Sequence, residues 1–544
     1  MCFITVAGFL NGPGFQKMRA DLRRDADEIW VIDCSPEGHQ PPVATRVFQG
    51  VQQPVCIVMA LRRGDGEPET PAKVRFRSLP EGVRGGKFTA LAGVGLDDSC
   101  WVDAPTEWRA PFLPAGDAAW ESYPALEDLF VYNGSGVMAG RTWVIAPDAK
   151  SLRDRWAKLV AEKDPANKEK LFHPHQNGDR TVTKVVRNAL AGHPHPPGSV
   201  EKDPGVGADP VRYAFRSFDR QWLLPDNRVI NRPNPTLWDS WSKKQVYLTA
   251  PHDRTPTAGP ALALAASIPD LHHYHGRGGR VFPLWADAAA TQPNIALGLL
   301  KELRAHVGEP VSAEDVMAYL AAVAAHPAYV ASFRKNLKQP GLRVPFTADR
   351  TLFDRAVELG REVIWLHTFG ERFAKGRPAG PPRIKNGPEN TKEGPLPKTL
   401  AAMPHELDYD PVNRRLMIGK GWISNVDQAV WDYEVSGKRV LSQWWSYRRD
   451  NRVKPAMGDR RAPSELSDIK PKDWPAEYTA ELMNVLHVLT GLVALEPAQA
   501  TLLAEIVNGP KIEADVLRAH GALSDASAEV EATEDEAEAD EVGG

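Results

Sequence analysis

Met1-Cys2-Phe3-Ile4-Thr5-Val6 and Glu28-Ile29-Trp30-Val31-Ile32-Asp33 decide the fold class. Both read as strands, and the core of the second is apolar on both faces, as in a parallel sheet covered on both sides. Between them Asn11-Gly12-Pro13-Gly14 makes a turn, with Pro13 suited to a first helical position. Phe15, Met18 and Leu22 then recur at helical spacing, with Lys17, Arg19, Arg23 and Arg24 mostly on the other faces. Pro54-Val55-Cys56-Ile57-Val58-Met59-Ala60-Leu61 is a third apolar run. Strand, helix, strand, loop, strand is an α/β pattern. A doubly wound sheet needs about five to seven strands, and three are visible. The sequence therefore predicts that the missing half of the sheet comes from another chain or from residues ahead of Met1, since a strand with nothing beside it exposes an edge.

The chain has 544 residues, 42% apolar and 25% charged, the balance of a globular protein. Its 47 prolines exceed the usual share and predict long ordered loops. No apolar run reaches the ~18 residues of a membrane span, and no secretory signal pattern opens the chain. Cys2, Cys34, Cys56 and Cys100 form no CxxC, which argues against a disulfide scaffold or a cysteine-rich zinc site and fits a reducing cytoplasm. The net charge is −4, yet the last 24 residues hold nine acids and no Lys or Arg, which leaves the rest at +5. A mildly basic body permits a polyanion partner.

Several motifs invite catalytic or metal readings. Phe130-Val131-Tyr132-Asn133-Gly134-Ser135-Gly136 resembles a strand entering a Gly-rich loop, but a second strand, Arg141 to Ile145, follows where a phosphate cradle needs a helix. A plain turn is the better reading. His173, His175, His193 and His195 lack a third ligand at fixed spacing. His252-Asp253 cannot form a dyad on a strand, where neighbours face opposite ways. His272, His273 and His275 have no carboxylate at ligand spacing. No catalytic or metal residue is assigned. Ser151 is read as the cap of a helix burying Leu152, Trp156 and Leu159, and Ser312-Ala313-Glu314-Asp315 as another helix start. Further helices are predicted at about 328–336, 351–366, 476–491 and 497–508. Residues 374–400, with six prolines, read as a linker or surface loop.

The most informative stretch is 212–254. Arg212, Arg216, Arg220, Gln221, Asn227, Arg228, Asn231, Arg232, Lys243 and Lys244 are interleaved with aromatics on short strands and turns. Arginine forks grip phosphate or guanine, amides read adenine, and lysines serve phosphate as point charges. The alternative is a rim of arginines paired with Asp219 and Asp226. Residues 435–461 set Arg448, Arg449, Arg452 and Lys454 around Trp444, Trp445 and Tyr447, a composition suited to gripping a nucleic-acid backbone. The alternative there is core tryptophans with solvated arginines.

These pieces together resemble the Type ISP single-chain restriction-modification enzymes, over nearly the whole chain except the acidic tail. Phe3 to Gly12 and Glu28 to Gly38 resemble late strands of the family's adenine-specific DNA methyltransferase domain. Gly140-Arg141-Thr142-Trp143-Val144-Ile145-Ala146-Pro147, Ser217-Phe218-Asp219-Arg220-Gln221-Trp222, Pro225-Asp226-Asn227-Arg228, Leu248 to Asp253, Asp287 to Asn294 and Tyr433 to Lys438 resemble its target-recognition domain. The resemblance implies a methyltransferase remnant at 1–65 and a mixed α+β DNA target-recognition domain at 66–510, helical toward its C-terminus, with a sub-boundary at 374–400. An acidic disordered tail is expected at 511–544.

It also implies double-stranded DNA as partner, a cytoplasmic location and no membrane. The NPPY-type loop that holds a flipped adenine is missing; Asn234-Pro235-Thr236-Leu237 is not one. No methyl-donor loop and no GxxxxGK[ST] occur either, so no catalytic or cofactor residue is carried over. S-adenosylmethionine and the catalytic loop would come from an upstream methyltransferase or helicase-nuclease polypeptide. Rival readings are a complete or split adenine methyltransferase, a hydrolase using the His-rich segments, and a non-enzymatic assembly subunit docking through its free strand edge.

Overall fold

The computed structural model describes every residue except 13–14, 38–42, 52, 65–69, 115–117, 177, 179, 253, 275–277, 339–340, 395, 397–402, 450–460 and 524–544. The chain divides into two compact units, the first formed mainly by Met1–Ser122 and the second by Tyr123–His252, Pro256–Phe333 and the chain from Leu342 onward.

The first unit is a five-stranded sheet. It comprises β1 (Cys2–Val6), α1 (Gln16–Asp25), β2 (Glu28–Asp33), β3 (Val55–Leu61), β4 (Lys73–Ser78), α2 (Arg84–Ala92), β5 (Val102–Asp103) and a short α3 (Ala118–Glu121). Strand order is β1-β3-β2-β4-β5. The α/β class is as expected; the strand directions are not all parallel. β3 runs antiparallel to both β1 and β2, with Ile4 opposite Ile57 and Val31 opposite Val58, and only β2 and β4 run parallel. Burial on both faces shows that a strand is internal and carries no information on direction. β4 and β5 join the same sheet, so the first unit continues past the expected break at residue 65. One face packs Phe9, Leu10, Leu22, Ile29, Val31, Val58 and Phe112 together; the other packs Ile32, Val47, Val55, Leu79, Leu91 and Trp101.

Helix α1 turns a different face inward from the one its apolar spacing implies. Phe15 and Met18 are exposed, while Arg19 and Arg23 are buried. Their guanidinium groups donate to the carbonyls of Phe9, Gly12, Pro105 and Ala110 among others, at 2.7–3.1 Å, and staple the 105–111 loop to the helix. A buried cation surrounded by carbonyls is tolerated because most of its N–H groups find acceptors; the Arg23 Nε is the exception.

The second unit holds several small sheets and most of the helices. In chain order it runs β6 (Gly134–Ser135), β7 (Ile145–Ala146), α4 (Ala149–Ala161), α5 (Pro165–Phe172), β8 (Val211–Arg216), β9 (Asp219–Leu223), α6 (Pro235–Asp239), β10 (Tyr247–Pro251), β11 (Ala263–Ala265) and β12 (Gly279–Pro283). Then come α7 (Leu299–Val307), α8 (Ala313–Ala324), α9 (Pro327–Ser332), β13 (Phe346–Thr347), α10 (Arg350–His367), β14 (Leu407–Asp410), β15 (Arg415–Ile418), β16 (Gly421–Ile423), α11 (Gln428–Asp432), β17 (Glu434–Val435), β18 (Lys438–Arg439) and α12 (Val440–Ser446). Last are α13 (Ala476–Asn508), β19 (Lys511–Ile512) and α14 (Ala514–Ala519). The sheets are β11-β10-β12-β6, β7-β9-β8, β14-β15-β16 and the pairs β13-β19 and β17-β18.

Helix α4 buries Leu152, Trp156 and Leu159 as expected, but its cap is Asp148, which accepts from the Ser151 N–H at 2.7 Å. Ser312 and Asp315 form a full capping box on α8. Two helices expected at 476–491 and 497–508 are one, α13, of 33 residues, with Pro497 inside it. α13 is long and apolar enough to cross a membrane by length and composition; here Tyr478, Leu482, Val485, Leu486, Leu489 and Leu492 are buried inside the protein. The loop 374–400 is tied to α13 where it is described: Arg383 donates to Asn484 Oδ1 at 2.8 Å and the Ile384 N–H to His487 Nδ1 at 3.1 Å. β19 and α14 occupy 511–519, where a disordered tail was expected; the acidic residues from 525 on lie outside the described residues.

The Gly-rich run near 134–140 serves packing. A Cβ on Gly136 would sit 2.5 Å from the Asp270 carbonyl, and Gly140, at φ +69°, lies against the Asn231 side chain.

Candidate nucleic-acid interface

The β8–β9 hairpin turns through Ser217 and Phe218, the latter left-handed at φ 62° and packed on His367 and Tyr433. Alternation along β8 points Tyr213 inward, where its hydroxyl lies 2.8 Å from Asp270 Oδ2 and 2.9 Å from Val137 O, two acceptors that share its single proton. The hairpin's arginines do not project into solvent. Arg216 pairs with Asp270 at 2.7 Å and lies over the Phe215 ring. Burial pulls its guanidinium down, and Asp270 with Tyr447 and Tyr213 more than reverses this. Arg212 and Arg220 converge on one carboxylate of α13, Glu481, at 3.0 and 3.1 Å, and Arg220 also reaches Glu371 at 2.9 Å. Arg212 stacks on Trp222 and Arg220 on Phe369. Asp219, at 2% exposure, pairs with Arg448, at 1%, across 2.7 Å; Gln221 donates to its other oxygen at 3.0 Å. Arg448 lies flat over Trp444, which with Trp445 packs on Trp474.

A second knot follows at 226–232. Arg228, at 1% exposure, is held by Asp226 and Asp203, each at 2.7 Å. Burial pulls its pKa down and the two carboxylates raise it above the ordinary value. Buried Asn227 receives Arg180 on its carbonyl at 2.9 Å and donates from Nδ2 to Asn188 O at 2.6 Å. Asn231 is buried against Gly140. Arg232 is half-buried, its backbone paired both ways with Met138 at 2.9 Å.

The expected DNA-contact set therefore splits. Arg216, Arg220, Gln221, Asn227, Arg228, Asn231 and Arg448 are buried or half-buried, and Arg212 is partly exposed; the arginines are engaged by carboxylates of the protein itself, not presented freely for base and phosphate contacts. The physical reason is that desolvated guanidinium groups beside carboxylates are held by charge-assisted bonds and cannot turn to a ligand without stranding their partners. Lys243, Lys244 and Arg449 are exposed. Arg452 and Lys454 lie outside the described residues.

The sequence reading missed the segment that Asn227 clamps. Residues 183–188 expose Thr183, Lys184, Val185, Arg187 and Asn188, without regular secondary structure. The signal was present as two cations and an amide in a Pro-flanked irregular stretch, the kind of loop that carries binding residues on a rigid frame.

Three of the histidines singled out in the sequence have clear partners. His252 pairs with Glu127 at 3.0 Å and lies 3.4 Å from Arg280; Asp253 and His275 are outside the described residues. His273 meets Thr249 Oγ1 at 2.8 Å in the core. His193 packs on Trp238. Among the described residues no three His, Cys, Asp or Glu converge on a metal-sized point. All four cysteines are free thiols.

The family described as Type ISP C-terminal specificity domain matches residues 128–485. Three solved structures align with 93% of this chain. They are a cryoEM DrdV–DNA complex (TM-score 0.57, 17% identity), a nuclease-deletion mutant of the Type ISP restriction-modification enzyme LlaGI with a DNA substrate mimic (0.58, 15%), and the ATP-dependent Type ISP enzyme LlaBIII bound to DNA (0.59, 14%). This chain spans 50%, 39% and 32% of those chains. No curated protein matches. At these identities the likeness to solved structures concerns the fold.

Proposed function

This chain belongs to the Type ISP C-terminal specificity domain family, and we propose from that premise that it recognises a target sequence in duplex DNA for a restriction-modification enzyme. The family match across 128–485 carries the reading. The frame supports it physically. Ion pairs inside the hairpin and the 226–232 knot fix the backbone before any ligand arrives, which lowers the entropy lost on binding. Lys184, Arg187, Lys243, Lys244 and Arg449 remain exposed to neutralise phosphates, and Asn188 and Arg187 have the donor patterns that read base edges.

In this reading the first unit belongs to a methyltransferase sheet, and adenine methylation from S-adenosylmethionine uses a catalytic loop on an upstream polypeptide. Among the described residues β1 has a strand on one side only, which leaves an edge for that sheet to continue. The cytoplasm, where DNA lies, is the proposed location.

Duplex titration across a salt series tests the core of this. Each phosphate neutralised contributes about −0.9 to the slope of log K against log salt. A slope of about −4 or steeper is expected from the exposed cations named. A flat dependence, or no binding to duplex at all, overturns the reading.

A further inference from the structure

Sixteen tryptophans occur in the chain, and among them Trp241 alone is exposed, at 42%. It does not sit on a loose tip. Helix α6 ends at Asp239, buried Ser240 bonds back to Thr236 O at 3.1 Å, and the Trp241 N–H reaches Trp238 O at 3.2 Å. The turn that follows closes through Gln245 N–H to Ser242 O at 3.1 Å. The fully buried Gln245 side chain donates to Ser240 O at 2.7 Å and Trp285 O at 2.8 Å, and accepts from the Trp285 N–H at 3.0 Å. Arg372 reaches the turn from beneath: its Nε donates to Gln245 O at 2.7 Å and its Nη2 to Ser242 O at 3.2 Å and Ala266 O at 3.0 Å. Two buried side chains thus fix the backbone of a six-residue turn whose outward groups are an indole and the ammonium groups of Lys243 and Lys244. No acid occurs from Ser240 to Pro251.

An indole left in water on a rigid turn exposes apolar area that a flexible loop would fold away, and here it stands beside two positive charges. We propose that the 240–245 turn is a preformed DNA contact in which Trp241 stacks against the sugar and base edge of one nucleotide while Lys243 and Lys244 take the flanking phosphates. An indole face packed on a deoxyribose and a base edge reads no donor–acceptor pattern, so the contact tolerates any base. The turn therefore anchors the duplex and leaves sequence choice to other residues. Gln245 and Arg372 are positioning residues: they hold the turn and do not touch DNA. This inference rests on the proposed DNA reading and names where part of the contact lies.

The test uses the full chain and a duplex titrated at several salt concentrations. Trp241→Ala is expected to weaken binding about 5- to 150-fold at every salt concentration with an unchanged slope, the range of a lost stacking contact. Trp241→Phe retains most of the affinity, whereas Trp241→Leu, apolar but without a π-face, falls with alanine. Lys243→Ala/Lys244→Ala flattens the slope by about two. A thermal melt of each variant checks that the fold is kept, and Leu and Phe supply the comparison should alanine disturb the turn. If Trp241→Ala and Trp241→Leu bind within two-fold of the unmodified protein, this inference is overturned while the DNA reading stands. If the unmodified protein binds no duplex, both fall.

Discussion

Replacing Asp219 with alanine is expected to lower the stability of the second unit by about 3–5 kcal/mol, the usual consequence of removing one member of a buried ion pair. The magnitude follows from what remains. Arg448 is 1% exposed and sits on Trp444; without Asp219 its charge has no carboxylate within reach among the described residues, and Gln221 loses the oxygen it donates to. The double variant Asp219→Ala/Arg448→Met should recover most of the loss, because a buried pair replaced by apolar groups is often neutral. Urea midpoints of the single and double variants measure this. A single-variant loss below about 1 kcal/mol would mean that the pair is open to water like a surface bridge. The result also separates two roles for Arg448. A phosphate-gripping arginine released from its carboxylate would bind DNA more tightly, whereas a structural one only weakens the fold.

Acid should destabilise the protein well above the range where carboxylates titrate. Burial lowers the pKa of His273 and His367 to about 3 and that of His326 to about 4; in His273 the nearby Arg216 and His367 add to the effect. The bonding fits neutral rings: His367 Nδ1 accepts the Leu264 N–H at 3.3 Å, a bond that protonation there would forfeit. An unfolded histidine titrates near 6.5. Below that pH the unfolded chain binds protons that the folded one refuses, so stability is full above pH 6.5 and falls as pH drops toward the folded values. Each histidine contributes up to about 1.4 kcal/mol per pH unit. Three together give a slope near 4 kcal/mol per unit around pH 5. Urea midpoints at pH 7, 6 and 5 should fall steeply; equal midpoints at pH 7 and 5 would show that these rings are hydrated.

Local signals in the sequence were read well where the physics is local. The Ser312–Asp315 capping box, the helix at 350–367 and the inward face of α4 depend on residues three or four apart. Strand direction was not legible. β2 and β3 are apolar on both faces whichever way they run, and Lys73 to Ser78, half polar, did not stand out from its charged surroundings. The two helices expected at 476–491 and 497–508 are one because packing before and after Pro497 outweighs one missing N–H.

The pairing of the arginines of 212–232 was not legible in the sequence, for a physical reason. Their type and spacing suit DNA, and the partners that hold them lie elsewhere in the chain: Glu481 is 269 residues from Arg212, and Asp270 is 54 from Arg216. Asp226 beside Arg228 was the local hint of a structural role. Arg19 and Arg23 reversed α1 in the same way, through carbonyls some 85 residues away.

The claim that this chain selects a DNA sequence is tested most directly by incubating it with a pool of random duplexes and sequencing what it retains over several rounds. One short motif should come to dominate the retained pool. A pool that stays random while binding persists would make the protein a non-selective polyanion binder and contradict the account.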